Sequence, residues 1–343
     1  MGIEQRKKDH TDICLNRPVH YDKGAGFDRY DFVHNALPEL DLDDITTEAT
    51  LLGRTFAFPL FVSSMTGGYN GAQAINRQIA SFCQRNNLPF GVGSQRAMLE
   101  KESLERSFAV VRDVAPDAFI CANIGGAQLR DGLSDDGIQR LIDIIRADAV
   151  IVHLNPLQEL LQEEGDRNFS GIEEGISRLV TMAPCPVIVK ETGAGISGDV
   201  ARRLLHSGVD VIDLSGAGGT SWARVENLRN ELSDSSAENR LFEDWGIPTA
   251  RCLESVQPLR EQFKFQVIAS GGIRTVLDMG IALALGADFV AMARPVLVAL
   301  HEGGEENLER IYQVWRRQFR QLLLLTGCRR PSLLSASHIR KRS

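Results

Sequence analysis

The chain has 343 residues, of which 43% are hydrophobic and 24% are charged, a composition typical of soluble globular proteins that can bury a sizeable core. The net charge of -7 argues against a general nucleic-acid or membrane-surface binder, because both of those partners repel an acidic protein. The six cysteines lie far apart in the sequence without a CxxC pair, which excludes a zinc-finger framework and a dense disulfide framework.

The amino terminus is basic and polar. Its first ten residues, MGIEQRKKDH, are charged where a signal peptide would be apolar, and the sequence contains no apolar run long enough to span a membrane. We therefore expect a cytoplasmic protein. Residues 1–55 show no strand–helix repeat but carry the cluster Arg6, Lys7 and Lys8, which on charge alone is as typical of a frayed terminus as of a binding segment.

Eight short apolar runs alternate with amphipathic segments from residue 58 onward. The runs are 58–62, 89–92, 119–122, 149–152, 186–189, 209–214, 265–269 and 288–293, and helical periodicity is clearest at 72–86, 103–114, 137–146, 198–207 and 276–285. Runs that are apolar on both faces and joined by helices indicate a buried parallel sheet. Eight such units favour a closed (β/α)8 TIM barrel over an open doubly wound sheet.

This barrel is predicted to occupy residues 56–328, after an N-terminal extension at 1–55 and before a polar basic tail at 329–343. About fifty residues separate the sixth strand from the seventh, and they include the polar stretch 231–240, which is typical of a functional loop. A long amphipathic helix is predicted at 305–325. The tail is expected to lack regular structure.

Gly271 and Gly272 end the seventh predicted strand directly before a helix. Such a turn allows backbone N–H groups to approach a ligand, and the helix N-terminus beyond it favours an anion. In (β/α)8 barrels this position after strands seven and eight is the usual phosphate site, although a single Gly-Gly pair is also typical of an ordinary tight turn.

The ends of the other strands are rich in Ser, Thr, Asn and Gly, at 63–68, 93–96, 123–126, 153–156, 190–193 and 215–222. Catalytic residues of such barrels lie at these ends. A polar site that faces a phosphate cradle suits flavin mononucleotide, and Lys190 on strand five would lie near the pyrimidine edge of its ring. Lys190 could instead neutralise Glu191.

Nine segments together resemble the type 2 isopentenyl diphosphate isomerases: RKKDH, SSMTGG, GVGSQR, ANIGGAQL, VHLNPLQE, IVKETG, LSGAGGTSW, DWGIPTA and SGGIR. The resemblance covers nearly the whole chain and implies an FMN-dependent barrel. It implies FMN contacts from Met65, Thr66, Gly67, Ser94, Asn123, Lys190, Ser215, Thr220, Gly271, Gly272, Arg274, Ala293 and Arg294. It implies substrate contacts from Arg6, Lys7, Ser94, Gln95, Arg96, His153, Asn155, Gln158 and Trp222.

The same resemblance implies roles in catalysis for Gln158, Glu226 and His153, and a Mg2+ ligand in Glu159. Taken alone, Glu159 is more typical of a solvated carboxylate at a helix start, and His153 of a hydrogen-bonded structural histidine. The implied reaction moves the double bond within a five-carbon diphosphate and so converts isopentenyl diphosphate into dimethylallyl diphosphate. NADPH is expected as the reductant of FMN and a tetramer or octamer as the assembly, with neither nucleic acid nor membrane as a partner.

Two other functions remain open. A flavin-dependent 2-hydroxy-acid oxidase uses the same barrel and the same strand-five lysine. That chemistry resembles a site with a base histidine beside an arginine near strand seven, whereas the loop after strand six of this chain, SGAGGTSWARVE, contains no histidine. A non-catalytic barrel that only binds a phosphorylated ligand would leave Arg6 and Glu159 without a role.

Overall fold

The computed structural model describes residues 2–69, 71–232 and 238–342. Residues 233–237, in the middle of the polar connection predicted at 231–240, lie outside the described residues. The strands are β1 Tyr30–Phe32, β2 Ala49–Leu51, β3 Arg54–Phe56, β4 Leu60–Val62, β5 Phe90–Gly91, β6 Ile120–Gly125, β7 Ala149–Leu154, β8 Val187–Glu191, β9 Val211–Asp213, β10 Gln266–Ser270, β11 Phe289–Met292 and β12 Ile339–Lys341.

Within these described ranges, β4 to β11 pair in parallel in sequence order and close into a barrel, with β11 hydrogen-bonded to β4. Each of the eight apolar runs thus supplies one barrel strand, which confirms the (β/α)8 prediction. The register is continuous across the sheet; for example, His153 pairs with Lys190, and Lys190 with Asp213. The carboxyl ends of all eight strands therefore meet at one mouth.

The helices surround this barrel. They are α1 Ile3–Asn16, α2 Ala72–Asn86, α3 Arg96–Glu100, α4 Arg106–Val114, α5 Gly126–Arg130, α6 Asp135–Asp143, α7 Pro156–Leu161, α8 Ile172–Met182, α9 Gly198–His206, α10 Trp222–Leu232, α11 Thr249–Val256, α12 Val276–Ala284 and α13 Arg294–Thr326. Thr275 caps α12 with a reciprocal capping box to Asp278. The helix predicted at 305–325 begins earlier, at Arg294, and is interrupted by non-helical backbone at Gly303 and Gly304.

The barrel interior changes from apolar to polar along several of its strands. Phe61, Ile151 and Ile188 belong to one cluster of buried apolar side chains inside the barrel. Because alternate strand residues face the same side, the next inward positions after Ile151 and Ile188 are His153 and Lys190. The barrel is therefore solid below its mouth, and polar side chains are presented at the mouth itself.

The opposite end of the barrel is closed by the hairpin β2–β3. Leu51 and Phe56 from this hairpin are fully buried and join the interior cluster. The hairpin blocks access from that end, so a ligand can enter the barrel only at the carboxyl ends of the strands.

The carboxyl-terminal segment is ordered, and the expectation of an unstructured tail is wrong. Strand β12 pairs antiparallel with β1, and Ile339 is buried. Arg342 forms an ion pair with Asp31, and Lys341 forms one with Glu254. The reason is a long-range one: strand β1, some 300 residues earlier in the chain, supplies the partner that the polar tail lacks locally.

No described helix is long and apolar enough to cross a membrane.

Candidate active site

A cavity of about 300 Å³ opens at the carboxyl ends of the barrel strands, a volume within the range of small-molecule sites. Twenty-one of the predicted site residues line it: Arg6, Lys7, Met65, Thr66, Gly67, Ser94, Arg96, Asn123, His153, Asn155, Gln158, Glu159, Lys190, Ser215, Thr220, Trp222, Gly271, Gly272, Arg274, Ala293 and Arg294. Barrel closure brings these residues together from every part of the chain. Gln95 and Glu226 are not among the described residues that line the cavity.

One end of the cavity is made of glycine backbone. Gly271 and Gly272 both have positive φ, and a Cβ on Gly272 would lie 2.6 Å from the Cβ of Ala25 and 2.9 Å from the carbonyl oxygen of Gly218. A Cβ on Gly219 would lie 2.7 Å from the amide nitrogen of Gly272. These backbones pack directly on each other, with no room for side chains, and α13 begins beside them at Arg294. The arrangement fits a phosphate group held by backbone N–H donors.

The side chains of two arginines near this cradle, Arg274 and Arg294, bind neighbouring loops of the protein. Arg294 donates from Nε to the carbonyl of Cys14 at 2.7 Å, and its Nη1 lies 2.9 Å from Nε2 of His20. Arg274 donates to the carbonyl of Gly218 at 3.0 Å. In this arrangement the arginine side chains brace the loops around the cradle and add positive charge, and the glycine and helix backbone is left as the source of direct donors to a phosphate.

Asn123 and His153 form a hydrogen-bonded pair at the centre of the barrel mouth. His153 Nδ1 lies 2.7 Å from Asn123 Oδ1, and Asn123 donates from Nδ2 to the carbonyl of Val92. Since the Asn123 amide nitrogen is used there, Oδ1 must accept, and His153 carries its proton on Nδ1. Burial, with the nearby charges of Lys190 and Lys7, lowers the pKa of His153 to about 3, so the imidazole is neutral in the ligand-free protein.

Lys190 lies at the mouth beside two buried carboxylates. Its ammonium donates to the backbone carbonyl of Glu191, while the Glu191 carboxylate accepts from the amide nitrogens of Gly193 and Gly195. Asp213, opposite Lys190 in the sheet, accepts from the Ser270 hydroxyl, and burial raises its pKa. Glu191 therefore serves the 193–195 turn, and Lys190 remains on the cavity wall, where a cofactor ring could meet its charge.

The other end of the cavity carries cationic side chains. Lys7 donates to the carbonyl of Ser94 at 2.6 Å, and Arg6 donates to Gln162 Oε1 at 3.2 Å. Arg96 pairs with Glu100 at 2.7 Å. Burial and the charge of Arg6 lower the pKa of Lys7 to about 7. The three predicted substrate cations therefore lie at the same end of the cavity. Arg6 and Lys7 reach it because α1 lies across the mouth, and Arg96 reaches it from α3.

Trp222 forms the wall beside α1 at this end of the cavity. The ring centroids of His10 and Trp222 are 5.2 Å apart in an edge-to-face arrangement. Near the amino end of the same helix as Trp222, Val225 packs with Ile13 and Val19 in a small apolar cluster. This cluster anchors the carboxyl-terminal half of α1 on α10, so that the half with the cations lies over the cavity.

Gln158 presents its side chain to the cavity, and Glu226 lies behind it. Glu226 is fully buried and accepts from the amide nitrogens of Gln158 at 2.9 Å and Gln162 at 2.8 Å. Glu226 therefore does not line the cavity and contacts these two amides from behind, and the catalytic role that the resemblance implies for it stays a prediction. The sequence could not reveal this, because the three residues meet only where α7 packs on α10.

Gln95 is also displaced from its predicted place. It is fully buried, accepts from the amide nitrogen of Asn123 at 2.9 Å and donates to the carbonyl of Leu141 at 3.1 Å. Gln95 stands at the N-cap position of α3, where its side chain turns back onto the sheet. Its side chain supports the strand end that carries Asn123, and the substrate contact that the resemblance implies for Gln95 stays a prediction.

Glu159 lines the cavity on α7. Its Oε1 accepts from Asn155 at 2.9 Å and its Oε2 from the amide nitrogen of Asp166 at 2.9 Å. Among the described residues there is no cluster of three or more His, Cys, Asp or Glu side chains that could hold a metal. A hard cation here would have Glu159 as its protein carboxylate and would need ligand oxygens and water for the rest of its shell.

Several cavity residues were missed by the sequence analysis: His10, Thr11, Cys14, His20, Tyr69 and Gln162. A signal for three of them existed. Positions 6, 7, 10, 11 and 14 share one face of a helix, so helical spacing could have placed His10, Thr11 and Cys14 beside the basic cluster, although no helix was predicted there. His20, Tyr69 and Gln162 carry no such local signal.

The chain is similar to several known proteins. Residues 152–341 match the family described as FMN-dependent dehydrogenase. The isopentenyl-diphosphate delta-isomerase of Chlorobium limicola is 44% identical, over 98% of this chain and 95% of its own. That of Chlorobium luteolum is 46% identical, over 94% and 92%. A flavocytochrome b2 mutant with pyruvate bound has a TM-score of 0.70 and 17% identity, over 96% of this chain and 82% of its own, which shows a shared fold alone.

Proposed function

The chain belongs to the isopentenyl-diphosphate delta-isomerase family, whose FMN-dependent barrel it shares, and we propose that it interconverts isopentenyl and dimethylallyl diphosphate by a 1,3-allylic proton shift. The reaction would use reduced FMN and a Mg2+ ion on the diphosphate. The reaction would supply five-carbon precursors for isoprenoid biosynthesis. The enzyme would act in the cytoplasm as a tetramer or octamer, with NADPH as the reductant of FMN.

One observation carries this proposal: a single cavity has a glycine-backbone cradle at one end and the cationic side chains of α1 at the other. The glycine cradle suits the phosphate of FMN, and the α1 cations suit a substrate diphosphate. A polar amide, Gln158, lies on the wall of the same cavity. A ligand pair consisting of one flavin phosphate and one short diphosphate uses both ends, whereas a 2-hydroxy acid would leave Arg6 and Lys7 without an anion of matching charge.

The chemistry demands an acid for an unactivated alkene and stabilisation of positive charge at the tertiary carbon. Reduced FMN, when bound, supplies an N–H acid and an electron-rich ring. The protein then has to fix the diphosphate, exclude bulk water and hold the hydrocarbon in one orientation. Arg6 and Lys7 fix the diphosphate, and Trp222 covers the hydrocarbon end.

Gln158 and Glu226 act together at the hydrocarbon. Because the Gln158 amide nitrogen donates to Glu226, its carbonyl oxygen is turned toward Asn155 and the cavity. An oriented carbonyl dipole backed by a buried carboxylate stabilises positive charge in a site from which water is excluded. Gln158 is therefore the side chain that meets developing cationic character.

His153 and Glu159 serve the diphosphate. Burial and, after it, the charges of Lys190 and Lys7 lower the pKa of His153, and an anion beside Lys7 would offset the charges and raise that pKa. Any proton taken up would go to Nε2, because Nδ1–H is already bound to Asn123. Glu159 would place one carboxylate on Mg2+, with diphosphate oxygens and water completing an octahedral shell.

The test separates this function from a flavin oxidase. Anaerobic protein is given one equivalent of dithionite or NADPH, then isopentenyl diphosphate and Mg2+, and product is counted against flavin. We expect many turnovers per reduced flavin, entry of solvent deuterium into the product, and no turnover by oxidised protein. One turnover per reducing equivalent, or full activity in the oxidised state, would contradict the proposal. Oxidation of lactate or mandelate would instead support the oxidase.

A further inference from the structure

Glu226 is a fully buried carboxylate whose oxygens are both engaged. Besides the two glutamine amides on Oε1, the imidazole Nε2 of His10 lies 2.9 Å from the same oxygen. Oε2 accepts from Arg229 Nε at 2.9 Å. A carboxylate buried in this way would ordinarily take up a proton, so its charge depends on these neighbours.

Arg229 is itself fixed on both sides. The residue is 5% exposed, and its Nη1 and Nη2 reach the two oxygens of Glu164 at 3.1 and 3.3 Å. Arg229 is three residues after Glu226 on α10, so both side chains leave the same face of the helix. Glu164 Oε1 also lies 3.6 Å from Arg6 Nη1. The Nε of Arg229 thus binds Glu226, while its Nη1 and Nη2 bind the carboxylate of Glu164, which fixes the orientation of the guanidinium.

We propose that Arg229 is a positioning residue that keeps Glu226 ionised and thereby fixes which way the Gln158 amide faces. This inference rests on the proposed function of Gln158. The physical link is hydrogen-bond polarity: an ionised Glu226 can only accept, so both glutamines turn their NH2 groups toward it. A protonated Glu226 would need an acceptor for its O–H. One glutamine amide would then flip, and a flip of Gln158 would present NH2 to the hydrocarbon, where it cannot stabilise positive charge.

The other groups that face Glu226 have different roles. From α1, His10 is the second titratable partner and Cys14 is a buried thiol whose pKa burial raises to about 12. From the segment after α7, Glu164 reaches Glu226 only through Arg229. Burial opposes ionisation of Glu226, yet His10 and Arg229 with the amide donors lower its pKa to about 2. Arg229 is the partner that carries a permanent charge.

The experiment compares Arg229→Met, Arg229→Lys and the matched control Arg224→Met. Arg224 is on the same helix and pairs with Glu243 and Asp22. In the reduced holoenzyme, the acid limb of the kcat profile should move up by at least about one pH unit in Arg229→Met, a tenfold change in proton affinity. In Arg229→Lys and in Arg224→Met, the acid limb of the kcat profile should stay at its wild-type pH. Adding His10→Gln to each variant should leave the Arg229→Met shift in place.

Thermal unfolding gives a second readout that does not need turnover. In the wild type, the ionised Glu226 contributes stability that is present above the unfolded carboxyl pKa and is lost as pH falls toward about 2. The Tm gap between wild type and Arg229→Met should therefore widen as pH rises and then level off. Glu226→Gln in both backgrounds should remove most of that widening and leave only the part that belongs to Glu164, the other carboxylate with which Arg229 pairs.

The outcomes are distinct. A Tm gap whose pH dependence is the same with and without Glu226→Gln, together with an unshifted acid limb, means that Arg229 does not set the charge of Glu226 and overturns the proposal. If Arg229→Met does not fold, the uncharged Arg229→Gln takes its place in the same comparison, and a pH dependence of the gap that Glu226→Gln reduces sustains the proposal. Wild-type protein without isomerase activity would refute the proposed function, while the Tm curves would still decide whether Arg229 sets the charge of Glu226.

Discussion

The two ends of the cavity are built in opposite ways. The cradle uses main chain: Gly271 and Gly272 pack against the 216–219 loop so closely that any Cβ would collide with neighbouring atoms. The end proposed for the diphosphate uses the side chains of Arg6 and Lys7, carried by α1 and held by its packing on α10. Backbone donors have no titratable proton and depend only on packing, whereas side-chain donors depend on protonation, on salt and on where the helix lies.

The largest effect is expected at the cradle. In Gly272→Asp, the side chain has no space and adds a negative charge beside the phosphate, so the protein should purify almost without flavin, as measured by its absorbance. Gly132→Asp is the matched control, since Gly132 also has a positive φ but would have nothing within 4 Å of its Cβ. Normal flavin content in Gly272→Asp would show that this end is not built from backbone.

The next effect separates the two ends. Arg6→Ala should raise KM for isopentenyl diphosphate and leave flavin content unchanged. A charge-assisted contact to an anion contributes about 1.5–3 kcal/mol, which corresponds to a rise of roughly tenfold to a hundredfold. Lys8→Ala is the control, because Lys8 has the same charge on the same helix but is exposed. Loss of flavin with an unaltered KM would mean that the two ends are interchanged.

A smaller effect should distinguish side-chain from backbone binding by pH. Lys7, with a pKa of about 7, is neutral above that pH in the free protein and must take up a proton to bind an anion. Affinity for inorganic pyrophosphate, measured by calorimetry, should fall by up to about tenfold per pH unit above pH 7, with proton uptake. Lys7→Arg should abolish this slope, since arginine stays charged. A slope that persists in Lys7→Arg belongs to another group.

The smallest effect is expected at the metal ligand. Glu159→Gln should raise the Mg2+ concentration for half-maximal activity by roughly threefold to tenfold, because diphosphate oxygens and water supply the other ligands. Glu163→Gln, which removes a nearby exposed carboxylate, should not change it. Equal Mg2+ requirements in the two variants would remove Glu159 from the metal site.

The barrel and most of its mouth could be predicted from the sequence because both follow from local patterns. Strand ends are recognisable one at a time, and a closed parallel barrel necessarily brings them together, which is why Asn123, His153 and Lys190 lie on one cavity. Failures occurred where a side chain reaches a distant partner. Gln95 turns onto Leu141, and Glu226 lies behind Gln158, contacts that no spacing in the sequence encodes.

The sequence by itself determined the number and order of the barrel strands and the glycine turn after the seventh, because apolar runs, helical periodicity and the steric demands of glycine are properties of short segments. Only the tertiary structure decided that α1 lies over the mouth, that the tail pairs with β1, and that Arg229 and Glu164 stand behind Glu226. The reason is that burial and charge pairing depend on which distant residues share a space, and that is fixed only when the helices pack on the closed barrel.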